Sequence, residues 1–380
     1  MTEPVTRARP GMSFSVDGWD PSYGASLELE GQLEESTARI DAGVELPVDS
    51  WRPIDQDPAG PRPEALLFVD GVRRVEAQVW IDGDPSRGGG PWRGDGPSGG
   101  GGPSGGGGPS RGDRPADEAK ADATDEPTAA LCASYAAGVV CCCAAGAHLV
   151  VTKLRRGLFS VAPHARDIRT RAGGYQAHHV TVKRPGAPVM PTLSQSLQVK
   201  LADVEKIAAT EARGLSGDAL PAPAGHPAQS ASDLLIVDGP LRGRERLPRA
   251  LGYIKSHHAT YLPPELNALV GTLAPGQRTP VFLMGTSWDR HSWYLRLPGP
   301  AGAPWAGVVR IECPADLPVA EVTGLAGLSQ RALGRFASAS YKDSRAPQNL
   351  YPIAGLEREL RRRLGDPRLL YRALREAARG

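Results

Sequence analysis

Two aspartates far apart in the chain close near-identical apolar runs: Leu66-Leu67-Phe68-Val69-Asp70-Gly71 and Leu234-Leu235-Ile236-Val237-Asp238-Gly239. A short, fully apolar run ended by Asp-Gly predicts a strand buried on both faces. A carboxylate at the end of such a strand is costly unless something pairs with it, and a divalent cation is one such partner. Adjacent strands ending this way would present two carboxylates to one site, as two-metal phosphodiester chemistry requires.

Around these two residues the sequence offers further groups. Asp238 is followed by Gly239-Pro240-Leu241 and a basic run, Arg242, Arg244, Arg246 and Arg249, ahead of Lys255. Metal on one side and guanidinium on the other would hold a phosphate. The plainer alternatives are an Asp-Gly turn at residue 70 and, after Asp238, a turn followed by a solvated basic face. A third carboxylate could come from the segment between the strands, which carries Asp203, Glu205 and Glu211. Glu205 lies beside the apolar stripe rather than opposite it, where it would suit a Mg²⁺ or Mn²⁺ cage; an ordinary exposed Glu fits equally well. Near the C-terminus, Tyr341–Ile353 is dense in chemically able side chains. There Asp343 or Glu357 could add a ligand and Lys342 and Arg345 could hold phosphate, or the stretch is a polar loop.

Other chemistries find little support. The histidines (His164, His178-His179, His257-His258, His291) lack zinc spacing. Of the five cysteines, Cys132, Cys141, Cys142, Cys143 and Cys313, three are consecutive. They match neither a disulfide framework nor spaced zinc pairs, and read as small apolar residues in a reducing compartment. No Ser-His-Asp or Cys-His set stands out, and there is no phosphate-binding Gly-x-x-x-x-Gly-Lys-Ser/Thr, so ATP hydrolysis is not expected. The net charge of +2 over 380 residues means that any nucleic-acid surface must be a local patch.

These residues need elements to position them. Residues 1–60 are polar and proline-punctuated, with a helix expected around Leu27–Ile40. Leu66–Asp70 followed by alternating Val75, Ala77, Val79 and Ile81 predicts two strands of a hairpin turning at Asp70-Gly71. Residues 84–128 are low-complexity, with Gly-Pro-Ser-Gly-Gly-Gly-Gly repeats and two Arg-Gly-Asp triplets, and are expected to be a disordered insertion. Two readings compete for Ala129–Val151: a membrane span, or two strands, Ala129–Cys143 and His148–Val161, joined by a turn at Ala144–Ala147. The segment's Ala, Gly, Cys and Ser content makes insertion marginal, and a span would separate Asp70 from Asp238, so two strands are expected. A helix follows at Ser194–Ala212 with Leu197, Leu201, Val204, Ile207 and Ala208 at helical spacing. After the second buried strand come a helix at Leu247–Tyr261, strands at Val281–Met284, Ser292–Leu297 and Ala306–Glu312, and an Arg-rich C-terminal helix, Gly355–Ala378, broken near Gly365-Asp366-Pro367. The first residues contain no apolar stretch of a secretory leader, which points to the cytoplasm.

The order of these elements resembles a known family. The Asp70 strand opens a meander, a Glu-bearing helix follows, and then come the Asp238-Gly-Pro-Leu strand and Gly252-Tyr253-Ile254-Lys255. Tyr294–Leu297, Arg310-Ile311-Glu312-Cys313-Pro314 and a late Tyr351-Pro352 complete the pattern. Over residues 64–360 this is similar to the NurA nucleases, whose members act on DNA ends beside the HerA ATPase. The resemblance implies an α/β, RNase H-like mixed sheet flanked by helices. The domain plan would be an N-terminal extension (1–60), a nuclease domain (61–360) interrupted by 84–128, and a basic C-terminal helix (361–380). It implies Mn²⁺ or Mg²⁺ on Asp70, Asp238 and Glu205 and a catalytic role for Tyr351; the residues themselves offer Arg242, Arg244, Lys255, Lys342 and Arg345 to hold DNA phosphates. A hexameric HerA-type ATPase would be the partner and a homodimer the assembly, with roles in end processing or repair. The chain departs from the pattern after Tyr351, where Glu357 and Glu359 stand in place of the family's histidine. That departure keeps open a second reading, a catalytically inactive scaffold that binds DNA or the ATPase.

Overall fold

Long apolar runs in this sequence become long strands. The computed structural model describes residues 38–82, 127–182, 188–214, 233–257, 259–299 and 304–379. In chain order the elements are β1 (Arg39–Asp41), β2 (Ala65–Ile81), β3 (Thr128–Cys143), β4 (Gly146–Ser160), β5 (Ile168–Thr170), β6 (Gly173–His179), α1 (Val189–Ala212), β7 (Asp233–Asp238), β8 (Ala250–Ile254), α2 (Pro264–Thr272), β9 (Phe282–Gly285), β10 (Asp289–Arg296), β11 (Val308–Pro314), α3 (Val319–Leu333), α4 (Tyr351–Arg363) and α5 (Pro367–Ala377). The chain is α/β, with a mixed sheet and flanking helices. It divides into two compact units, one of residues 1–73, 135–154 and 200–365, the other of residues 74–134, 155–199 and 366–380.

In the first unit the strands run in the order β1-β9-β10-β11-β8-β7-β2-β3-β4. At its centre β2 and β7 pair in parallel with Leu66 opposite Leu234 and Val69 opposite Val237. Strand β7 also pairs in parallel with β8, and β8 pairs antiparallel with β11. One sheet face buries Leu66, Phe68, Leu234, Ile236, Tyr253, Trp293 and Ile311 against Leu325 and Ala326 of α3 and Ile353, Leu356 and Leu360 of α4. Each such side chain contributes about 1.5–3 kcal/mol when fully buried. The opposite face meets α1 at Gly71, where a Cβ would stand 2.7 Å from Leu201 Cδ1.

In the second unit β4 pairs in parallel with β6, and β5 pairs antiparallel with β6. Its core gathers Ala77, Ala130, Cys132, Leu158, Tyr175 and Leu374 of α5.

Several expectations hold. The two strands after the glycine-rich segment turn tightly at Ala144-Ala145, and among the described residues no helix is long and apolar enough to cross a membrane. The break in the C-terminal helix falls where Asp366 caps α5, accepting the amides of Arg368 and Leu369.

Others do not hold. No hairpin turns at Asp70-Gly71: β2 runs unbroken for 17 residues. Its apolar half is covered on both faces; beyond it Ala77, Val79 and Ile81 are buried or half-buried as the alternation predicts, whereas Val75 is exposed and its neighbour Glu76 is buried. The stretch Leu247–Tyr261 is not a helix, because Ala250–Tyr253 forms a strand with every residue buried. Gly252 has no room for a side chain there, a Cβ being 2.7 Å from Glu312 Cγ and 2.9 Å from the Leu241 amide nitrogen. In α1, Leu197, Leu201, Val204 and Ala208 are buried as the spacing predicts, whereas Ile207 turns to solvent with 48% exposure. The helix expected at Leu27–Ile40 lies outside the described residues up to position 37, and Arg39 and Ile40 belong to β1. Both Arg-Gly-Asp triplets and residues 84–126 of the insertion also lie outside them, while Thr128 already belongs to β3.

Candidate metal centre

The β2–β7 register sets the site. With Val69 opposite Val237, the next residues along the parallel pair are Asp70 and Asp238. Residues on a strand alternate between faces, so Asp70 shares the face of Leu66 and Phe68, toward α4, and Gly71 points to α1. On α4, Ile353, Leu356 and Leu360 are buried, and Glu357 stands one turn beyond Ile353 on the same side. Carboxylate oxygens of Asp70, Asp238 and Glu357 come within 4.8 Å of one another.

Asp70 is the strained member of this set. It is 8% exposed, its Oδ1 accepts the Gly71 amide at 2.7 Å, and its buried Oδ2 has no hydrogen-bond partner among the described residues. Burial pushes its carboxyl well above the ordinary value. Asp238 adds to that push, Lys255 opposes it, and Glu357 and Glu205 raise it further. Asp238 is better provided for: its Oδ2 accepts Lys255 Nζ at 2.6 Å, and the same ammonium donates to Asn349 Oδ1 at 3.0 Å. Asn349 is fully buried and donates to Asp343 Oδ2 at 2.7 Å. Arg345 grips both oxygens of Glu357, at 3.0 and 2.7 Å, so α4 presents that carboxylate in a fixed orientation.

The donors are all carboxylate oxygens, which suits a hard divalent cation such as Mg²⁺ or Mn²⁺. The orphaned Oδ2 of Asp70 is the sharpest sign of fit. A buried acceptor left bare costs about 1–3 kcal/mol, and a cation among the three carboxylates would satisfy it.

The other expected residues fall in different places. Glu205 is on the α1 side, against Gly71, where its carboxylate ion-pairs with Arg244 at 2.5 Å and is not among the mutually close oxygens. Burial raises Glu205, Arg244 opposes that shift, and Asp238 adds to it, so the two carboxylates sense each other. Arg244 is buried and also donates to the Pro240 carbonyl, whereas Arg242 is exposed. Lys255 is spent on Asp238 and Asn349, and Arg345 on Glu357. Lys342 lies over the rings of Tyr341 and Tyr351, at 5.4 and 5.5 Å. Tyr351 begins α4 with its hydroxyl accepting the Ala339 amide at 3.1 Å. Sequence reasoning missed Asn349, whose buried amide side chain links Lys255 to Asp343; no local pattern marks it.

A second donor set stands apart: Cys141, Cys143 and His148 bring their ligand atoms within 4.8 Å at the β3–β4 turn. Alternation puts Cys141 and Cys143 on one face and Cys142 on the other, which consecutive cysteines conceal in the sequence.

No protein-family model matches the chain, and no curated protein matches it. Among solved structures, the crystal structure of the NurA nuclease from Sulfolobus solfataricus aligns with 83% of this chain and 84% of that one, at 7% identity and a TM-score of 0.39.

Proposed function

We propose that the chain is a metal-dependent DNA nuclease whose centre is Asp70, Asp238 and Glu357. The observation that carries this reading is the convergence of three carboxylates around a buried, unpartnered Asp70 oxygen. An apoprotein gains nothing from that arrangement, since burial and mutual repulsion both oppose it. The NurA-like order of sequence elements supports phosphodiester hydrolysis of DNA, by 5′–3′ exonuclease action, endonuclease action or both, and with it a HerA-type ATPase partner, a homodimer and a role in end processing.

A bound Mg²⁺ or Mn²⁺ would supply a water of lowered pKa and a Lewis acid for the leaving oxygen. The chain's own residues do the rest. Asp70 and Asp238 would hold the cation from adjacent strands, and Glu357 would close the set from α4 in place of the histidine of the resembled family. Lys255 and Asn349 orient Asp238, as Arg345 orients Glu357. Glu205 positions Arg244 beside the loop that follows Asp238. Exposed Arg242, with Lys342 near Tyr351, is available to backbone phosphates, a contact mode with little sequence preference and strong salt dependence.

The test is incubation of linear DNA with the protein and Mn²⁺ or Mg²⁺, alongside EDTA and Asp238→Ala. Metal-dependent degradation lost in the variant is expected. No cutting by the wild type, even with a cognate ATPase, would favour a scaffold that binds without hydrolysis.

A further inference from the structure

On the other face of β8, a cavity of about 290 Å³ is lined by Arg242, Tyr261, Trp288, Arg290, Arg310 and Glu312 among others. Ile254 also lines it while its neighbour Lys255 reaches Asp238, so alternation along β8 places the cavity and the carboxylates on opposite faces. The loop between them is short: Asp238 ends β7, Pro240 and Arg242 line the cavity, and the Leu241 amide donates to Glu312 Oε1 at 2.6 Å.

The charge balance of this cavity is unusual. Arg290 and Arg310 are each 5% exposed, and the single carboxylate between them, Glu312, is fully buried. Both guanidiniums ion-pair with the same Glu312 oxygen, at 3.2 and 3.0 Å. The Arg290 Nε is the atom that faces Glu312, while the Arg310 Nε is buried with no hydrogen-bond partner among the described residues. Burial lowers Arg290 from its ordinary value, and Arg310 lowers it further against the pull of Glu312. Among the described residues this leaves one buried positive charge uncompensated, an expensive arrangement unless an anion is drawn in. Two aromatic rings accompany the cations: Trp288 lies 4.8 Å from the Arg290 guanidinium and Tyr261 lies 5.1 Å from that of Arg310. Cations flanked by aromatic faces in a concave site match a phosphate joined to a planar base.

We propose that this cavity binds a nucleoside monophosphate group, with the phosphate on Arg290 and Arg310 and the base against Trp288 or Tyr261. Resting on the nuclease reading, the group is a strand's terminal nucleotide or the nucleotide released by cleavage. Both sources present the same phosphate monoester on a nucleoside. An internal phosphodiester, tied on both sides, is less able to reach guanidiniums so deeply buried.

Isothermal titration of the full chain in EDTA, with deoxyadenosine 5′-monophosphate, deoxyadenosine and inorganic phosphate, tests this. The nucleotide should bind at least tenfold more tightly than either fragment. Arg310→Lys should cut its affinity about tenfold, and Arg242→Ala, an exposed change that leaves the fold intact, about threefold. An oligonucleotide with a 5′-phosphate, compared with its hydroxyl twin, separates the sources. A gain from the end phosphate marks a strand-end site, and binding of the free nucleotide without that gain marks a product site. Equal affinity for nucleotide and nucleoside, no binding of the nucleotide, or wild-type nucleotide affinity in both variants would overturn the proposal. Metal-dependent DNA cutting is scored on the same protein. Cutting without nucleotide binding fails the cavity alone, and nucleotide binding without cutting fails the nuclease.

Discussion

Replacing Asp70 by Asn should stabilise the metal-free protein while abolishing its chemistry. The carboxylate oxygens of Asp70, Asp238 and Glu357 lie within 4.8 Å of one another. At an effective dielectric of about 20, two unit charges at that separation repel by about 3.5 kcal/mol. Lys255 offsets part of this from 2.6 Å away on Asp238, leaving a net gain of about 1–3 kcal/mol for the neutral side chain. Asparagine keeps an oxygen for the Gly71 amide, so the local hydrogen bond survives. The sign with pH follows from the raised carboxyl of Asp70. A group whose native pKa lies above its unfolded one adds stability below the unfolded value, and that contribution is lost as pH rises through the native value. The advantage of Asp70→Asn should therefore be small near pH 4 and grow with pH. Urea unfolding in EDTA at several pH values reads this, and repetition with Mn²⁺ reads the linked effect. The wild-type midpoint should rise with metal and the variant's should not. An Asp70→Asn protein less stable than wild type in EDTA at neutral pH, or one equally stabilised by Mn²⁺, would refute the reasoning.

Lys255→Met should do the reverse. Removing the cation paired with Asp238 should cost the apoprotein about 2 kcal/mol, discounted for partial exposure, and should enlarge the Mn²⁺-induced shift in the same unfolding assay. Gly71→Ala should destabilise by about 1–3 kcal/mol, because its Cβ would stand 2.5 Å from Glu205 Oε1 and 2.7 Å from Leu201; chemical denaturation reads it. Cys143→Ser should leave Mn²⁺-dependent cutting unchanged within about twofold, since soft sulfur donors are not those of a hard cation. A nuclease assay on linear DNA decides this, and loss of activity would move the centre to the β3–β4 turn.

What the sequence disclosed was mostly what a strand needs locally. The runs ending at Asp70 and Asp238 declared buried strands because apolar residues on both faces have few other uses, and the structure pairs them in parallel. The turn at Asp70-Gly71 was misread because Asp-Gly serves two ends. Here glycine is required by the close approach of Leu201 and Glu205 rather than by a reversal of the chain. The strand β8 was misread as helix because Ala250–Ile254 is too short to show a period, and burial on both faces erases alternation.

The third carboxylate exposes a deeper limit of linear reasoning. Glu205, on the helix between the two strands, was the first candidate, with Asp343 or Glu357 as a further ligand. A strand, however, sends Asp70 and Gly71 to opposite faces, and α1 covers the Gly71 face. Only an element on the other face could complete the set around Asp70. The element on that face is α4, whose Glu357 comes late in the chain. Its place depends on which face each helix covers, a fact held by the whole sheet and by no short stretch of sequence. If the centre lies there, Glu357→Gln should abolish Mn²⁺-dependent cutting, while Glu205→Gln, which loosens Arg244, should lower it by about 10–100-fold. Full activity in Glu357→Gln would return the third ligand to α1.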